Sequence, residues 1–268
     1  MTKAHVDASP PPVVQKCYET LSNYEAALRN YHLCRMLIPE HIPPLVSKNS
    51  RQRWISIQYI PDDGRLPINN FLAAVEVTRL LNESWEKIID KSVYKISNFF
   101  DSSRLEAYSR GLKYIVDQSN WLTASNFIRV LKHFSGTSSN LYKDSNVTNF
   151  INYNGGAFII DFDTITLAPF GYDFAKLLLT DAVKSHSLEQ QRVAGALMQY
   201  RWTPACGALS ANLMLMFMDI HWIMAQPFRR KNSYQVDWAV LRPQMAKCLG
   251  LNRDTPSETA YRFLSSIP

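Results

Sequence analysis

Two short β-prone runs, 149–153 and 157–162, flank Asn154-Gly155-Gly156, and no other feature of this 268-residue chain constrains its backbone so tightly. Both runs are rich in Phe, Ile and Tyr, which suit a pleated, half-buried surface. Asn-Gly at a short connection is a strong hairpin signal, because the favoured turn needs positive φ at both central residues. A β-hairpin is therefore expected inside a chain that otherwise reads as mostly helical. Glycine is scarce, with 9 residues, and the first of them is Gly64. That scarcity argues against a Gly-rich propeller and against a dinucleotide-binding domain with its full glycine fingerprint.

Around the hairpin the periodicity predicts strands at 13–18 and 54–60. Helices are expected at 19–37, 71–89, 126–134, 190–200, 205–226 and 239–248. Leu105, Tyr108, Leu112, Ile115 and Val116 form one more helical stripe. Asp173 reads as the N-cap of an apolar helix through 174–179. Pro39, Pro43 and Pro44 end the first helix, and Pro61-Asp62-Asp63-Gly64 reads as a turn.

Asp144, Asn149 and Asp161 carry the chemistry this layout can support. Tyr142-Lys143-Asp144-Ser145-Asn146-Val147-Thr148-Asn149 leads into the hairpin, and Ile159-Ile160-Asp161-Phe162-Asp163 leaves it. An Asp, an Asn five residues on and an Asp after the hairpin match the needs of phosphoryl transfer. The first Asp orients an acceptor hydroxyl and takes its proton, while the Asn and the second Asp hold Mg2+ on the phosphates. Magnesium takes hard oxygen ligands, which an amide oxygen and a carboxylate supply. Strand pairing is expected to bring residues 149 and 161 together. Each residue also has a plainer reading. Asp144 suits a polar turn. Asp161, at the end of an apolar strand, needs a partner, and a salt bridge would serve as well as a metal. Asp163 reads either as a second metal ligand or as the cap of the next loop.

The segment resembles the catalytic core of the aminoglycoside phosphotransferase and choline kinase-like family of small-molecule kinases. In that family a His-Gly-Asp loop with an Asn five residues on precedes a hairpin ending in Ile-Asp-Phe/Trp-Asp/Glu, and a Tyr-Asp-Leu-Ala-like helix start follows. Here the matching residues are Ile160-Asp161-Phe162-Asp163, then Ala168-Pro169-Phe170-Gly171-Tyr172-Asp173-Phe174-Ala175. The resemblance implies an α+β, protein kinase-like two-lobe fold. A disordered lead at 1–12 would precede a reduced N-terminal β lobe and hinge at 13–61. A large, mostly helical C-terminal lobe at 62–268 would carry the catalytic loop and hairpin at 142–163. The implied cofactors are ATP (or GTP) and Mg2+, and the implied partner is a small molecule with an acceptor hydroxyl. Under this reading Asp144 is catalytic, and Asn149, Asp161 and Asp163 serve the metal. Lys16 is the phosphate-binding lysine, Glu25 its helix partner with Glu19 as the alternative, and adenine lies on backbone groups of Tyr59 and Ile60.

Two departures from the family pattern stand out. His-Gly is replaced by Tyr142-Lys143, and no glycine precedes Lys16. The backbone N–H groups that cradle phosphates in a Gly-rich loop are then lacking, which makes Lys143 a candidate phosphate contact. These departures favour a second reading, a weak or inactive kinase-like protein serving as a binding or regulatory module. The retention of Asp144, Asn149 and Asp161 opposes it.

Charge narrows the partner. The chain has 29 Lys+Arg and 23 Asp+Glu, a formal net charge of +6. Residues 181–268 hold 10 Lys+Arg against 6 Asp+Glu, a surplus of four positive charges that would repel a polycationic acceptor. A neutral or anionic acceptor such as a sugar, a sugar phosphate or a glycolipid head group is expected. No nucleic-acid motif or long basic run points to nucleic acid. Cys17, Cys34, Cys206 and Cys248 show no CxxC or metal spacing and read as free thiols in a reducing compartment. The polar, Pro-rich lead has no apolar core of a signal peptide, so a cytoplasmic protein is expected. Asp219 and His221 interrupt the apolar run at 205–226, which reads as a core helix rather than a membrane span.

Overall fold

Val13–Cys17 is extended for the reason its β-branched residues suggest, and the first sheet is built around it. The computed structural model describes residues 3–7, 12–61, 67–101, 132, 140–185, 188–200, 208–225, 234 and 236–251. The chain forms two units, one of residues 1–91 with 146–165 and one of 92–145 with 166–268. In the first unit β1 (Lys3–Asp7) and β4 (Trp54–Gln58) flank β2 (Val13–Cys17), and β3 (Leu45–Asn49) lies beyond β4. The strand order is β1-β2-β4-β3, and all neighbours are antiparallel. The expectation of a structureless lead is thus corrected. Lys3 lies opposite Cys17 and Asp7 opposite Val13. The open edge of β2 offers backbone partners that the polar composition of the lead does not reveal.

Helix α1 (Leu21–Leu37) is capped by Thr20, whose side-chain oxygen accepts from the Asn23 N–H at 3.1 Å. Its buried face carries Tyr24, Ala27, Tyr31 and Cys34 at helical spacing. Tyr24 and Ala27 pack with Tyr18 and Ile55 into a core cluster over the sheet. Helix α2 (Pro67–Glu86) buries Phe71, Ala74, Val75, Thr78, Leu81 and Trp85 along one stripe. The expected hairpin forms as β6 (Phe150–Tyr153) and β7 (Gly156–Ile159), after a two-stranded element described below. Asn154 and Gly155 take φ of 52° and 79°, the positive values that select Asn-Gly at this turn. Helix α2 packs on both hairpin strands. Helix α2 and the hairpin thus fall in the same unit as the first sheet.

The second unit contains β5 (Asn140–Lys143) paired with β8 (Ile165–Ala168), two strands the sequence reading leaves as loop. Both are four residues long and bounded by polar or turn residues, too short for periodicity to register. Among the described residues the unit also holds helices α3 (Tyr172–Ser185), α4 (Gln190–Gln199), α5 (Ala208–Ala225) and α6 (Trp238–Cys248). Asp173 is not the N-cap: α3 begins at Tyr172, and Asp173 is a buried first-turn residue accepting from Phe174 N and Tyr200 Oη. Tyr172 is fully buried, with ring neighbours Phe99, Phe100, Tyr142, Phe217 and His221. Asp219 on α5 accepts from Trp238 Nε1 at 2.7 Å and pairs with Arg242, so the charge that interrupts the apolar run is buried with its partners. Among the described residues no helix is long and apolar enough to cross a membrane. Cys17, Cys34 and Cys248 form no disulfide, while Cys206, residues 62–64 of the expected turn, the stripe at 105–116 and nearly all of 126–134 lie outside the described residues.

Asp181 on α3 pairs with Arg192 on α4 at 2.5 Å. Burial nonetheless pushes its carboxyl up from 3.8 to about 6, against the pull of Arg192. The folded state therefore holds this proton more tightly than the unfolded chain, and Asp181 costs stability as pH rises from about 4 to 6. The cost reaches about 3 kcal/mol, since each pKa unit is worth about 1.4 kcal/mol. Unfolding free energies of wild type and Asp181→Asn, measured from pH 4 to 7, are expected to move in the variant's favour by that amount as pH rises. A difference that does not change with pH would contradict this.

Candidate active site

The residue leaving β7 and the residue entering β6 meet through the backbone. The Ile160 N–H donates to the Asn149 carbonyl at 3.1 Å, which sets Asn149 beside the start of Asp161-Phe162-Asp163. Lys16, the fourth residue of β2, reaches both carboxylates. Its Nζ lies 2.8 Å from Asp161 Oδ1 and 3.2 Å from Asp163 Oδ1. Tyr18, one residue past β2, donates its phenol to Asp163 Oδ1 at 3.2 Å. Burial first, and then the Asp163 and Asp161 carboxylates, push that phenol well above its ordinary range, so it stays a donor. From α1, the Asn30 amide donates to the Phe162 carbonyl at 3.0 Å, and the Tyr31 ring meets Phe162 edge-on at 5.4 Å. Phe162 is the buried pin of the segment, and the two carboxylates turn outward on either side of it.

Lys16, Asn149, Asp161 and Asp163 thus lie in one unit, where Lys16 reaches both carboxylates. The plainer reading of Asp161 also holds in this state: it is in a salt bridge, and its partner is the lysine assigned to the phosphates. Glu25 differs from expectation. It is exposed on α1, and the helix instead sends Asn30, five residues on, to the Asp161–Asp163 segment. The stripe that buries Tyr24, Ala27 and Tyr31 turns Glu25 outward, because consecutive helical positions lie about 100° apart. At the expected hinge the Tyr59 N–H donates to the Pro12 carbonyl at 2.9 Å and is taken, and Ile60 is buried.

Removing Lys16 would leave two carboxylates facing each other. Lys16→Met is expected to lower stability by about 1–2 kcal/mol, a value reduced for the partial exposure of both acids. Millimolar Mg2+ should recover part of that loss in thermal unfolding. Equal stability of wild type and variant without Mg2+ would contradict the pairing.

A second cluster lies in the other unit. Asp144, just past β5, is paired with Lys176 on α3. Lys176 Nζ is also 3.2 Å from Tyr142 Oη and 5.8 Å from the centre of that ring. Lys143 is 2% exposed in β5, so the phosphate contact expected of it is not supported by its burial. His221 is buried against Tyr142 and Tyr172, with Nε2 2.7 Å from the Tyr172 carbonyl. A carbonyl only accepts, so Nε2 carries the proton. Burial first, then the charge of Lys176, hold His221 well below its usual range and keep it neutral. It is a packing residue rather than an acid or base.

The donor set fits a magnesium ion shared with phosphates. Among the described residues no group of three or more His, Cys, Asp or Glu forms a complete cage. Two carboxylates converging on one ammonium instead offer hard oxygen donors, which suit an ion completed by phosphate and water.

No protein-family model matches the chain, and no curated protein matches it in sequence. Solved structures do match. An aminoglycoside phosphotransferase from Alicyclobacillus acidocaldarius superposes with a TM-score of 0.56 at 11% identity, covering 99% of this chain and 89% of its own. The chain has the protein kinase-like fold of small-molecule kinases. A choline kinase from Streptococcus pneumoniae shares that kinase-like fold at TM-score 0.56 and 14% identity, covering 92% and 89% of the two chains. An amicoumacin kinase in complex with AMP-PNP, Ca2+ and Ami does so at 0.54 and 12%, covering 99% and 83%. The α+β kinase-like expectation is met: a small antiparallel sheet precedes a largely helical remainder. Sequence reasoning missed Tyr18, Asn30 and Lys176. Only Tyr18 carried a local signal, its place two residues past Lys16 on the same strand run.

Proposed function

We propose that this protein transfers the γ-phosphoryl group of ATP to a hydroxyl of a small molecule. The observation that carries the reading is the convergence of Lys16 on Asp161 and Asp163 beside Asn149. A lysine and two carboxylates so arranged suit a phosphate and its counter-ion, with Lys16 exchanging its carboxylate partners for phosphate oxygen. Asn149, Asp161 and Asp163 would hold magnesium, which supplies neutralisation of phosphate charge. Tyr18 keeps Asp163 oriented by donating to it. Asp144 accepts the acceptor's proton as the acceptor oxygen bonds to the γ-phosphorus. The bond from that phosphorus to the β,γ-bridging oxygen breaks, and ADP leaves with its electron pair. With the Tyr59 amide taken by Pro12, adenine would use the Tyr59 carbonyl and the Ile60 amide. The neighbouring amicoumacin kinase, solved with AMP-PNP, supports a nucleotide donor. The positive surplus of residues 181–268 favours a neutral or anionic acceptor, sugar-like rather than polycationic.

The test is transfer of label from γ-labelled ATP, with Mg2+, to a panel of neutral sugars, sugar phosphates, glycolipid head groups and aminoglycosides. Labelled product from a neutral or anionic acceptor, lost in Asp161→Ala, is the expected result. Label passing only to aminoglycosides would overturn the acceptor class, and label passing to nothing, water included, would overturn the transferase reading.

A further inference from the structure

We infer that Lys176 is a positioning residue for Asp144, fixing the carboxylate and offsetting its charge where phosphate must approach; this rests on the transferase reading above. Gly171, at φ of 82°, turns the chain from β8 into α3, and Lys176 follows within the first two turns. Helical side chains lean toward their N-terminus, so its stem runs back toward the end of β5. There Nζ meets Asp144 Oδ1 and Tyr142 Oη.

Three observations set this pair apart from an ordinary surface ion pair. First, every other residue of α3 from Tyr172 to Thr180 is buried, so Lys176 has no solvated helix face to occupy. An ammonium set among buried neighbours needs a fixed partner. Second, its other contact is rigid. The Tyr142 ring is packed by Phe99 at 4.8 Å and Tyr172 at 5.1 Å and stacks on His221 at 5.9 Å. Third, exposure is asymmetric: the side chain of Lys176 is 18% exposed and that of Asp144 44%. The ammonium is held from below while the carboxylate keeps a face to solvent. A carboxylate accepts several hydrogen bonds, so the Lys176 bond does not prevent one from an acceptor hydroxyl. A carboxylate next to a transferring phosphoryl group repels it. A neighbouring ammonium offsets that repulsion.

The test compares wild type, Lys176→Met, Lys176→Arg, Asp144→Asn and the Asp144→Asn/Lys176→Met double variant. Mg-ATP hydrolysis, with water as the acceptor, gives kcat and KM, and thermal unfolding checks folding. Lys176→Met keeps the packed stem and should lower kcat about 30-fold or more, with the KM for ATP within threefold. Lys176→Arg should restore most of the rate, and the double variant should fall no lower than Asp144→Asn alone, because coupled residues are not additive. An unchanged kcat in Lys176→Met, or losses that multiply in the double variant, would overturn the role while leaving the transferase reading intact. If Lys176→Met does not fold, Lys176→Arg decides alone, and an Arg variant as impaired as Asp144→Asn sinks the proposal. Wild-type protein without Mg-ATP turnover overturns the transferase reading, and this role with it.

Discussion

Asp144→Asn is expected to lower phosphoryl transfer by about a thousandfold while leaving Mg-ATP binding in place. A positioned general base is worth about 10²–10⁴ in rate. The amide keeps the size of the carboxylate and can still accept from Lys176, but it cannot take a proton from the acceptor. The nucleotide reading rests on other residues, Lys16, Asn149, Asp161 and Asp163, all in the unit that does not contain Asp144. Turnover and thermal stabilisation by Mg-ATP, measured side by side, should therefore separate. Loss of the stabilisation together with the rate would show that Asp144 holds nucleotide and is not the base.

The largest effect on stability is expected at Tyr172. Its ring is fully buried and meets five aromatic neighbours, with centroids from 4.0 to 5.3 Å. Truncating a buried aromatic to Ala costs about 3–5 kcal/mol, part lost transfer energy and part cavity. In a chain of this size that lowers Tm by roughly 10 °C. The loss reaches further, because the ring also packs on His221 and supports Tyr142, on which Lys176 rests. Tyr172→Phe is the control. It keeps the ring, gives up the hydroxyl contact to Met224 Sδ at 3.6 Å and should cost about 1 kcal/mol. Similar losses in the two variants would mean that the hydroxyl, not the ring, carries the stability.

Particular residues explain which parts of this structure could be read in advance. Asn154-Gly155 announced the hairpin, because positive φ at two successive residues is a local demand. Lys16 and Asp161 could be found one by one, as a lysine on a β-prone run and a carboxylate at the end of an apolar one. That they pair is a property of the sheet, 145 positions apart in the chain. Strand β1 was hidden because its partner, not its own composition, makes it a strand. The exposure of Glu25 could not be read in advance, because the spacing of α1 allows several rotations and burial of Tyr24, Ala27 and Tyr31 selects the one that presents Asn30. Lys176 sat in an apolar helical run with no motif around it, and its meeting with Asp144, 32 residues away, is a tertiary event. Local chemistry thus identified the residues on the hairpin, and packing decided their partners.

The central claim is that Asp161 and its neighbours form a magnesium–nucleotide site. Thermal unfolding of wild type and Asp161→Ala, each with and without Mg-ATP, tests it most directly. A ligand at about 100 times its Kd adds about 2.7 kcal/mol, which raises Tm by roughly 5 °C or more in a protein of this size. The account predicts that rise in the wild type, dependent on magnesium and absent from Asp161→Ala. Equal shifts in both proteins, or none in either at millimolar Mg-ATP, would contradict it.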